Sequence, residues 1–493
     1  MMISLTTTPT PVWDYNAYWD FIVPIGIVFL ILLLSNALRR KVKFIRNSLM
    51  PTAIIGGFVG LGLKYLLEWL FGGYAGFPEL TAVNELLSVL TYHTIAIGFI
   101  ALGLKTIDKA KEENVLTGKP LKNGLFIVCN YLMQGILGLV ITIGLALIFT
   151  EVAPFSGVLL PMGYGQGPGQ AFNIGRIFET AAGFVGGTDF GLAISTLGFV
   201  SACVGGVIYL AILVKKRKIK RAYIDGVSEP QEGDVYSPEE IPLVESIDKL
   251  TVQIALVGVI YLATWLILFG LTALINNSDV AFLINSVKPL LWGFNFIFAI
   301  FVTMAFKQIL KGLKKAKLMK RTYTNNYMLN RIAGVAFDIM IIASIMAIDL
   351  QKLSSGWGLV IALAILGIVG AVATYFYDLY VARRVYKGYE NEAFLAFYGM
   401  MTGTASTGIA LLREVDPNFK TPAANDLVTG STTAILFGFP ILLITGIIFN
   451  DGPDHPFGFW LFGCLAIMTV LFLVFHYFLI KKPREKKIKA AKK

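Results

Sequence analysis

The sequence predicts an all-α polytopic membrane protein: two inverted five-span repeats, each with a re-entrant hairpin, plus one extra C-terminal span. Three observations lead to this prediction: the composition, the positions of the basic residues, and two glycine-rich interruptions of hydrophobic segments. The chain has 493 residues, of which 56% are hydrophobic and 15% are charged. Soluble domains carry about 25% charged residues. The composition, with a mean hydropathy of +0.70, therefore indicates a chain that lies mostly in a membrane.

Hydrophobic runs long enough to cross about 30 Å of hydrocarbon recur along the whole length. Two further apolar segments, near 154-180 and 391-414, are interrupted and stand outside this set. The eleven predicted spans lie near residues 18-38, 50-71, 85-104, 124-149, 189-214, 250-275, 287-306, 331-349, 357-382, 426-449 and 457-480.

The basic residues predict the orientation of the chain in a cell membrane. Lysine and arginine cluster in alternate loops and in the tail, whereas the segments 1-17, 72-84 and 450-456 contain neither. Cytoplasmic loops carry the excess of Lys and Arg, so the N-terminus is expected outside and the C-terminus in the cytoplasm. The odd number of spans agrees with this orientation.

The net charge of +11 does not indicate a nucleic-acid partner. Nearly all of the excess lies in the loops predicted to be cytoplasmic, where it sets the topology and meets anionic lipid. Cys129, Cys203 and Cys464 lie within or beside spans, match no metal-ligand spacing and predict no disulfide framework.

The chain divides into two halves of similar plan. The first repeat is predicted over 1-214, a polar cytoplasmic linker over 215-249, the second repeat over 250-449, and the extra span with a basic tail over 450-493. Each half has five spans, and an odd number places the second half upside down relative to the first. Weak echoes support the division: Thr188-Asp189 and Asn425-Asp426 each open a span just after an interrupted segment.

The two interruptions predict the binding site. Irregular backbone at membrane depth survives only where it lines a cavity or is buried in protein. Two breaks in corresponding positions are the best sequence indicator of a transporter's substrate site. If the loop charges set the topology, the first hairpin starts and ends outside and the second starts and ends inside, so their tips could meet near the midplane.

The residue types at the breaks suit an anion and a cation together. A resuming helix presents free N–H groups and a positive dipole end, which favour a carboxylate, and the carbonyl groups before the break suit Na+. The alternative is that the glycines only allow tight helix packing. The predicted substrate and ion ligands are Gly165, Gln166, Gly167, Gly169, Gln170, Asn173, Thr402, Gly403, Thr404, Ser406 and Thr407.

Three acidic residues inside spans are possible ion or proton ligands, because charge in a membrane segment usually has a function. Asp189 and Asp426 stand at span starts, where helix N-capping is the alternative. Asp338 lies deeper in its span, and pairing with a cation from another helix is its alternative. Arg176 is expected to pair with Glu179 at the outer surface, or else to reach an anionic substrate.

Four motifs give the chain a resemblance to the bacterial sodium:glutamate symporter family. It extends over residues 20-449, and the motifs follow in the family's order. They are 54–57 (Ile-Ile-Gly-Gly), 97–104 (Ile-Gly-Phe-Ile-Ala-Leu-Gly-Leu), 166–172 (Gln-Gly-Pro-Gly-Gln-Ala-Phe) and 403–410 (Gly-Thr-Ala-Ser-Thr-Gly-Ile-Ala). The chain departs from the family at 166–169, where relatives have a His-Gly-Thr-Gly type of tip.

This resemblance implies two inverted repeats with re-entrant hairpins, Na+-driven uptake of glutamate, and a homodimer, with residues 165-170 and 402-408 as the substrate and ion site. The expected function is sodium-coupled symport of glutamate or a related amino acid or carboxylate. No enzymatic activity is expected, and no cofactor other than Na+ as coupling ion. The alternatives are a proton-coupled carboxylate transporter or cation/proton exchanger, and a membrane receptor or scaffold with a transporter-like fold.

Overall fold

The computed structural model describes most of the hydrophobic part of the chain. Throughout this part the regular structure is helical, without strands. The predicted linker 215-249 and the basic tail fall almost wholly outside it. The described residues are 15–43, 45, 50–72, 79–105, 118–215, 249–278, 280, 283–319, 323–354, 356–416, 420–450 and 457–481.

The first half contains six labelled helices, with a short irregular arm before the fifth. This arm consists of a 3₁₀ turn Pro154–Val158, one helical turn Leu159–Pro161 and a π turn Met162–Gln166. The helices are α1 Tyr15–Lys41, α2 Thr52–Phe71, α3 Leu80–Leu104, α4 Gly118–Ala146, α5 Pro168–Ala181 and α6 Gly187–Lys215.

The second half contains eight labelled helices and the short helices Lys288–Gly293 and Leu350–Ser354. One predicted span, 287-306, differs from the structure: it is interrupted at Phe294, beside Gly293, where the backbone packs closely on Ile177. The labelled helices are α7 Lys249–Asn276, α8 Asn295–Lys315, α9 Asn326–Met346, α10 Trp357–Val385, α11 Glu390–Met401, α12 Ala405–Arg413, α13 Ala423–Ile447 and α14 Phe459–Ile480.

Ten helices of the described part are long and apolar enough to cross a membrane, which confirms a multi-pass membrane protein. They are α1 to α4, α6 to α10, and α14. Helix α13 covers the predicted span 426-449 and has 25 residues, but several of its side chains lie outside the described set and it is not among the ten. The inverted relation of the halves stays a prediction.

Both interrupted segments are broken helices whose two arms lie side by side. In the first, the Phe155 and Phe178 rings are 4.9 Å apart, which brings the irregular arm against α5. In the second, a Cβ on Gly399 would lie 2.7 Å from the Cα of Gly408, so α11 and α12 are in backbone contact. The breaks fall at Gly167 and at residues 402–404, close to the predicted bounds. The re-entrant character of each broken helix, with both of its ends on one face of the membrane, stays a prediction.

Helices from the two halves pack together in matching combinations. Helix α3 packs along α9; α2 packs on α9 as α8 packs on α3; and α4 packs on α13 as α6 packs on α10. In each pair of contacts, the helix that comes from the first half in one contact is replaced in the other by its counterpart from the second half. This arrangement encloses the broken helices between α4, α6 and α10.

The irregular arm of the first broken helix sits against α4 through paired glycines. A Cβ atom on either Gly138 or Gly157 would overlap with the backbone of the other. Beside them, the Thr142 hydroxyl donates to the Pro154 carbonyl at 2.7 Å, and the Gly157 N–H donates to the Thr142 hydroxyl oxygen at 3.1 Å. Glycine is therefore required at this seam for close approach and not for backbone flexibility.

Replacing Gly138 by alanine is expected to destabilise the protein by about 1–3 kcal/mol, because the new methyl group meets fixed backbone. The matched control is Gly144→Ala on the same helix, where a Cβ meets nothing within 4 Å; it should be neutral or stabilising by up to about 1 kcal/mol. Thermal unfolding of the purified variants in detergent measures both. Equal melting temperatures would contradict this account of the seam.

Candidate functional site

The tips of the two broken helices meet in the interior. Gly167 has φ +94°, and a Cβ placed on it would lie 3.7 Å from Thr404 Cγ2 and 3.8 Å from the Gly403 carbonyl oxygen. A non-glycine residue rarely adopts this conformation. The first tip therefore needs glycine for its backbone geometry, and an added Cβ would fill the contact with the second tip at ordinary van der Waals distance.

Two helix N-termini begin at this contact. Helix α5 starts at Pro168 after Gly167, without a side-chain cap. Helix α12 starts at Ala405 after Thr404, whose hydroxyl accepts from the Thr407 N–H at 3.4 Å. First-turn N–H groups have no partner inside their own helix, and each N-terminus carries about half a positive charge. The tip contact therefore favours an anionic group.

Neighbouring helices hold the tips through close backbone approach. The second tip lies on α6, where a Cβ on Gly198 would lie 2.5 Å from the Thr402 carbonyl oxygen. At the first tip, a Cβ on Gly169 would lie 3.1 Å from the Met340 sulfur of α9. Both breaks are thus packed against long helices, and the cavity they can line is small.

Gln134 of α4 connects the two broken helices. Its Nε2 donates to the Met401 carbonyl oxygen, at the end of α11, and to the Thr374 hydroxyl of α10, each at 2.9 Å. Its Oε1 has no hydrogen-bond partner and would lie 3.3 Å from a Cβ on Gly165 in the first arm. One fully buried side chain therefore contacts both interruptions and a third helix.

Most of the predicted site residues are buried around the tips. Gln166 and Thr404 are half-buried, whereas Ser406 is exposed. The Thr402 hydroxyl donates to the Tyr398 carbonyl of its own arm at 2.7 Å, so it is already engaged. The buried members are Gly165, Gly167, Gly169, Gln170, Asn173, Thr402, Gly403 and Thr407.

Two polar side chains on α5 are buried with atoms that have no hydrogen-bond partner. These atoms are Oε1 of Gln170 and both Oδ1 and Nδ2 of Asn173. Gln170 is 4% exposed and Asn173 is 2% exposed. A buried polar group without a partner costs about 1–3 kcal/mol, so these side chains are suited to a ligand or to water just beyond the first tip.

A cavity of about 290 Å³ lies at the end of α5 away from the tips. It lies between α3, α5, α6 and the segment after α9. Ser88 and Arg176 line it. Ser88 lies seven residues from Ile95 on α3, and Arg176 lies seven residues from Gly169 on α5. Since Ile95 and Gly169 are in contact at the first tip, the cavity is about 10 Å from that tip along each helix. Its charged lining residues are Glu85, Arg176, Glu179, Asp189, Asp349 and Lys352.

Asp189 borders this cavity and does not lie at the tips. Its Oδ1 accepts the Asp349 backbone N–H at 2.7 Å, so it joins α6 to the segment after α9 and does not cap its own helix. It precedes Gly198 by nine residues, about 13 Å of helix. The expected pairing of Arg176 with Glu179 is wrong for the described residues. Glu179 lies 4.0 Å from Lys352, and Thr188 donates to it through both its hydroxyl and its N–H.

Asp426, the counterpart of Asp189, belongs to a closed polar network. Its carboxylate accepts from Asn123 at 3.1 Å and from the Tyr389 hydroxyl at 2.6 Å, and it pairs with Lys119 at 3.2 Å. Tyr386 in turn donates to Asn123 at 2.8 Å. Burial and the hydrogen bond to Asp426 raise the pKa of the Tyr389 hydroxyl, which keeps it a donor. The network joins α4, α13 and the α10–α11 loop.

Asp338 lies half-buried on α9, two residues before Met340, which contacts the first tip. Within the described residues no lysine or arginine forms an ion pair with it. The alternative of pairing with a cation is therefore not supported by these residues, and its role as a proton or sodium ligand stays a prediction.

The sequence prediction missed a row of polar residues where α4 crosses α10. Asn130 and Gln134 stand one turn apart on α4, and Thr374 and Asp378 stand one turn apart on α10; all four are fully buried. Asp378 carries the same signal as Asp338, an acidic residue inside an apolar segment. The spacing of Asn130 and Gln134 also marks one helix face.

The described residues contain no cluster of three or more His, Cys, Asp or Glu side chains that could hold a metal ion. The chain matches no protein-family model, and a search of curated proteins likewise found no match. The resemblance to the bacterial sodium:glutamate symporter family therefore stays a prediction, and the site itself has to support any function.

Replacing Gln134 by leucine is expected to loosen both broken helices, because the Met401 carbonyl and the Thr374 hydroxyl lose their donor. The expected cost is about 1–3 kcal/mol in the free energy of unfolding. The matched control is Gln253→Leu. Gln253 is also buried, donates to the Tyr323 carbonyl at 2.7 Å and accepts the Asn325 N–H at 3.1 Å.

Both variants should melt at lower temperature than the unmodified protein. Only Gln134→Leu should raise amide hydrogen exchange in residues 154–181 and 390–413, as measured by mass spectrometry. Unchanged exchange in both segments would show that Gln134 does not hold them.

Proposed function

We propose that this protein is a secondary transporter that couples inward Na+ flow to uptake of a small anionic amino acid or carboxylate, with glutamate as the first candidate. The observation that carries the proposal is the contact between Gly167 and residues 403–404, which joins the tips of two broken helices inside a multi-pass membrane protein. The resemblance adds re-entrant hairpins, glutamate as substrate and a homodimer.

The electrostatics of the tips support an anionic substrate. Two helix N-termini begin at one contact, and just beyond it the buried donor Nδ2 of Asn173 has no partner. A substrate carboxylate would satisfy N–H groups that the helices leave free. Cation binding at the tips would use the carbonyl groups of the arms that end there, although the Met401 carbonyl already accepts from Gln134.

The unequal surroundings of Asp189 and Asp426 support alternating access. The first lines a cavity with a charged lining, whereas the second is bonded to Asn123, Tyr389 and Lys119. In the proposed orientation the cavity lies on the outer side and the network on the cytoplasmic side. Transport would then require the network to open as the cavity closes, while the tips carry the substrate between them.

The deciding experiment is uptake of radiolabelled L-glutamate by the purified protein in proteoliposomes, with and without an inward Na+ gradient. Accumulation only in the presence of the gradient is the expected result. If glutamate fails, the same assay is repeated with other amino acids and dicarboxylates. Binding of one of these without accumulation in sealed vesicles would favour a receptor instead.

Replacing Gly167 by alanine is expected to reduce sodium-dependent uptake at least tenfold. The methyl group occupies the tip contact, and the φ of +94° is strained for alanine. The matched control is Gly388→Ala, since Gly388 has φ +93° but a Cβ there meets nothing within 4 Å.

Both variants carry the same backbone strain, so a comparable fall in melting temperature is expected. Uptake per folded protein should fall only in Gly167→Ala. If the two variants lose uptake equally, strain alone explains the effect and the tip contact is not the transport site.

The orientation is tested by thiol labelling in intact cells, in a protein whose three cysteines are replaced. Thr180→Cys places an exposed thiol beside the cavity, and Thr429→Cys places a half-buried thiol beside the Asp426 network. A membrane-impermeant maleimide should label the first from outside and the second only after the membrane is opened. The reverse pattern would invert the proposed topology.

Proton coupling through Asp338 is the second candidate, supported by the half-buried carboxylate without an ion-pair partner among the described residues. It requires uptake driven by a pH gradient without Na+ and abolished by Asp338→Asn. Sodium-driven uptake that survives Asp338→Asn would exclude it.

A further inference from the structure

Asp378 of α10 is a fully buried carboxylate without compensation in the described part of the chain. It is 0% exposed, and neither Oδ1 nor Oδ2 has a hydrogen-bond partner. No lysine or arginine among these residues pairs with it. An isolated carboxylate in a low-dielectric interior is very costly unless a proton or a cation neutralises it, so the protein must supply one of the two.

The side chains around Asp378 present more acceptor oxygens than free donors. Asn130 of α4 faces the carboxylate, and one hydrogen of its Nδ2 can be donated to it. The other hydrogen is donated to the Phe126 carbonyl at 3.2 Å, and the Asn130 Oδ1 has no partner. One turn along α4, the Gln134 amide has both donors engaged, while its Oε1 also has no partner.

The nearby tyrosine hydroxyl groups are bonded to other partners. Tyr386 donates to Asn123 and Tyr398 donates to the Ser201 carbonyl, at 2.8 and 3.0 Å. Tyr377, next to Asp378 in sequence, pairs with His476 at 3.0 Å and also faces Cys129. The crossing of α4 and α10 thus holds four buried acceptor oxygens, two from Asp378 and one each from Asn130 and Gln134.

We propose that Asp378, Asn130 and Gln134 bind one sodium ion at the crossing of α4 and α10, as the coupling-ion site of the transporter proposed above. A proton would satisfy one carboxylate oxygen and donate one hydrogen bond, leaving the other acceptors unpaired. A hard cation takes several oxygen ligands at once. One carboxylate balances a charge of +1, which favours Na+ over a divalent ion in this interior.

The site is placed to link ion binding to the tips. Gln134 donates to Met401 at the end of α11, and its Oε1 faces Gly165 in the first arm. An ion that draws on this oxygen fixes the orientation of the Gln134 amide. The same amide holds the second broken helix, so sodium binding would order both tips before the substrate arrives. This step depends on the proposed function, whereas the ion site itself does not.

The test is sodium titration of the purified full-length protein without substrate. NaCl replaces choline chloride at constant ionic strength, and the melting temperature is followed by intrinsic fluorescence. The unmodified protein should melt at a temperature that rises and saturates with Na+, since a ligand of the native state stabilises it. Asp378→Asn should lose this response. In choline it should melt at or above the unmodified protein, because its amide removes an unpaired buried charge.

Asn130→Leu is the second variant. It keeps the size of the side chain and removes one ligand oxygen, so the apparent affinity for Na+ should fall about tenfold. The control is Glu79→Gln, which makes the same charge change at an exposed position and should respond to Na+ like the unmodified protein.

A full sodium response in Asp378→Asn would overturn the proposal. So would the absence of a response in the unmodified protein, because the carboxylate is then neutralised by a proton. If Asp378→Asn does not fold, an unchanged Na+ affinity in Asn130→Leu overturns it equally. Sodium binding without uptake of any substrate would refute the transporter but leave the site. Sodium-driven uptake by Asp378→Asn would refute the site but leave the transporter.

Discussion

The structure depends on one constraint: the backbone groups exposed by two broken helices must find partners in an interior that offers little water. The protein meets it by bringing the breaks together and by placing one glutamine behind them. Gln134 supplies donors to Met401 and Thr374, and Gly198 and Gly403 let backbone carbonyls and α6 approach closely. Buried polar atoms without a partner remain in two places around the tips, at Gln170 and Asn173 on α5 and where α4 crosses α10.

Two carboxylates at opposite ends of the molecule have different hydrogen-bond partners. Asp189 and Asp426 hold corresponding places in the two halves, yet one receives a single N–H beside a cavity and the other is bonded to three side chains. In the proposed function, the side at Asp189 is open and the side at Asp426 is closed. A small shift of the helices can exchange the polar contacts on which this difference depends.

The sequence predicted an all-helical multi-pass membrane protein and the position of both breaks, because span length and glycine clusters are local properties of the chain. All eleven predicted spans overlap helices, although residues 287-306 are broken at Phe294, where α5 packs on Gly293. The tip residues were predicted for the same reason. Gln134 and Asp378 were missed because their role comes from the crossing of α4 and α10. Nothing in either segment alone reveals which faces meet.

The fully buried Asp378 and the half-buried Asp338 illustrate the limit of reading charge in a span. Both are acidic residues in apolar helices, and sequence alone gives them equal weight. The structure separates them by what surrounds each: Asp338 is partly exposed on α9, whereas Asp378 is fully buried near the unpartnered oxygens of Asn130 and Gln134. An exposed carboxylate can remain ionised by drawing on solvent. A sealed one cannot, so its charge must be balanced whenever the helices are packed as they are here. This necessity ties the packing of α4 and α10 to a proton or a cation at Asp378.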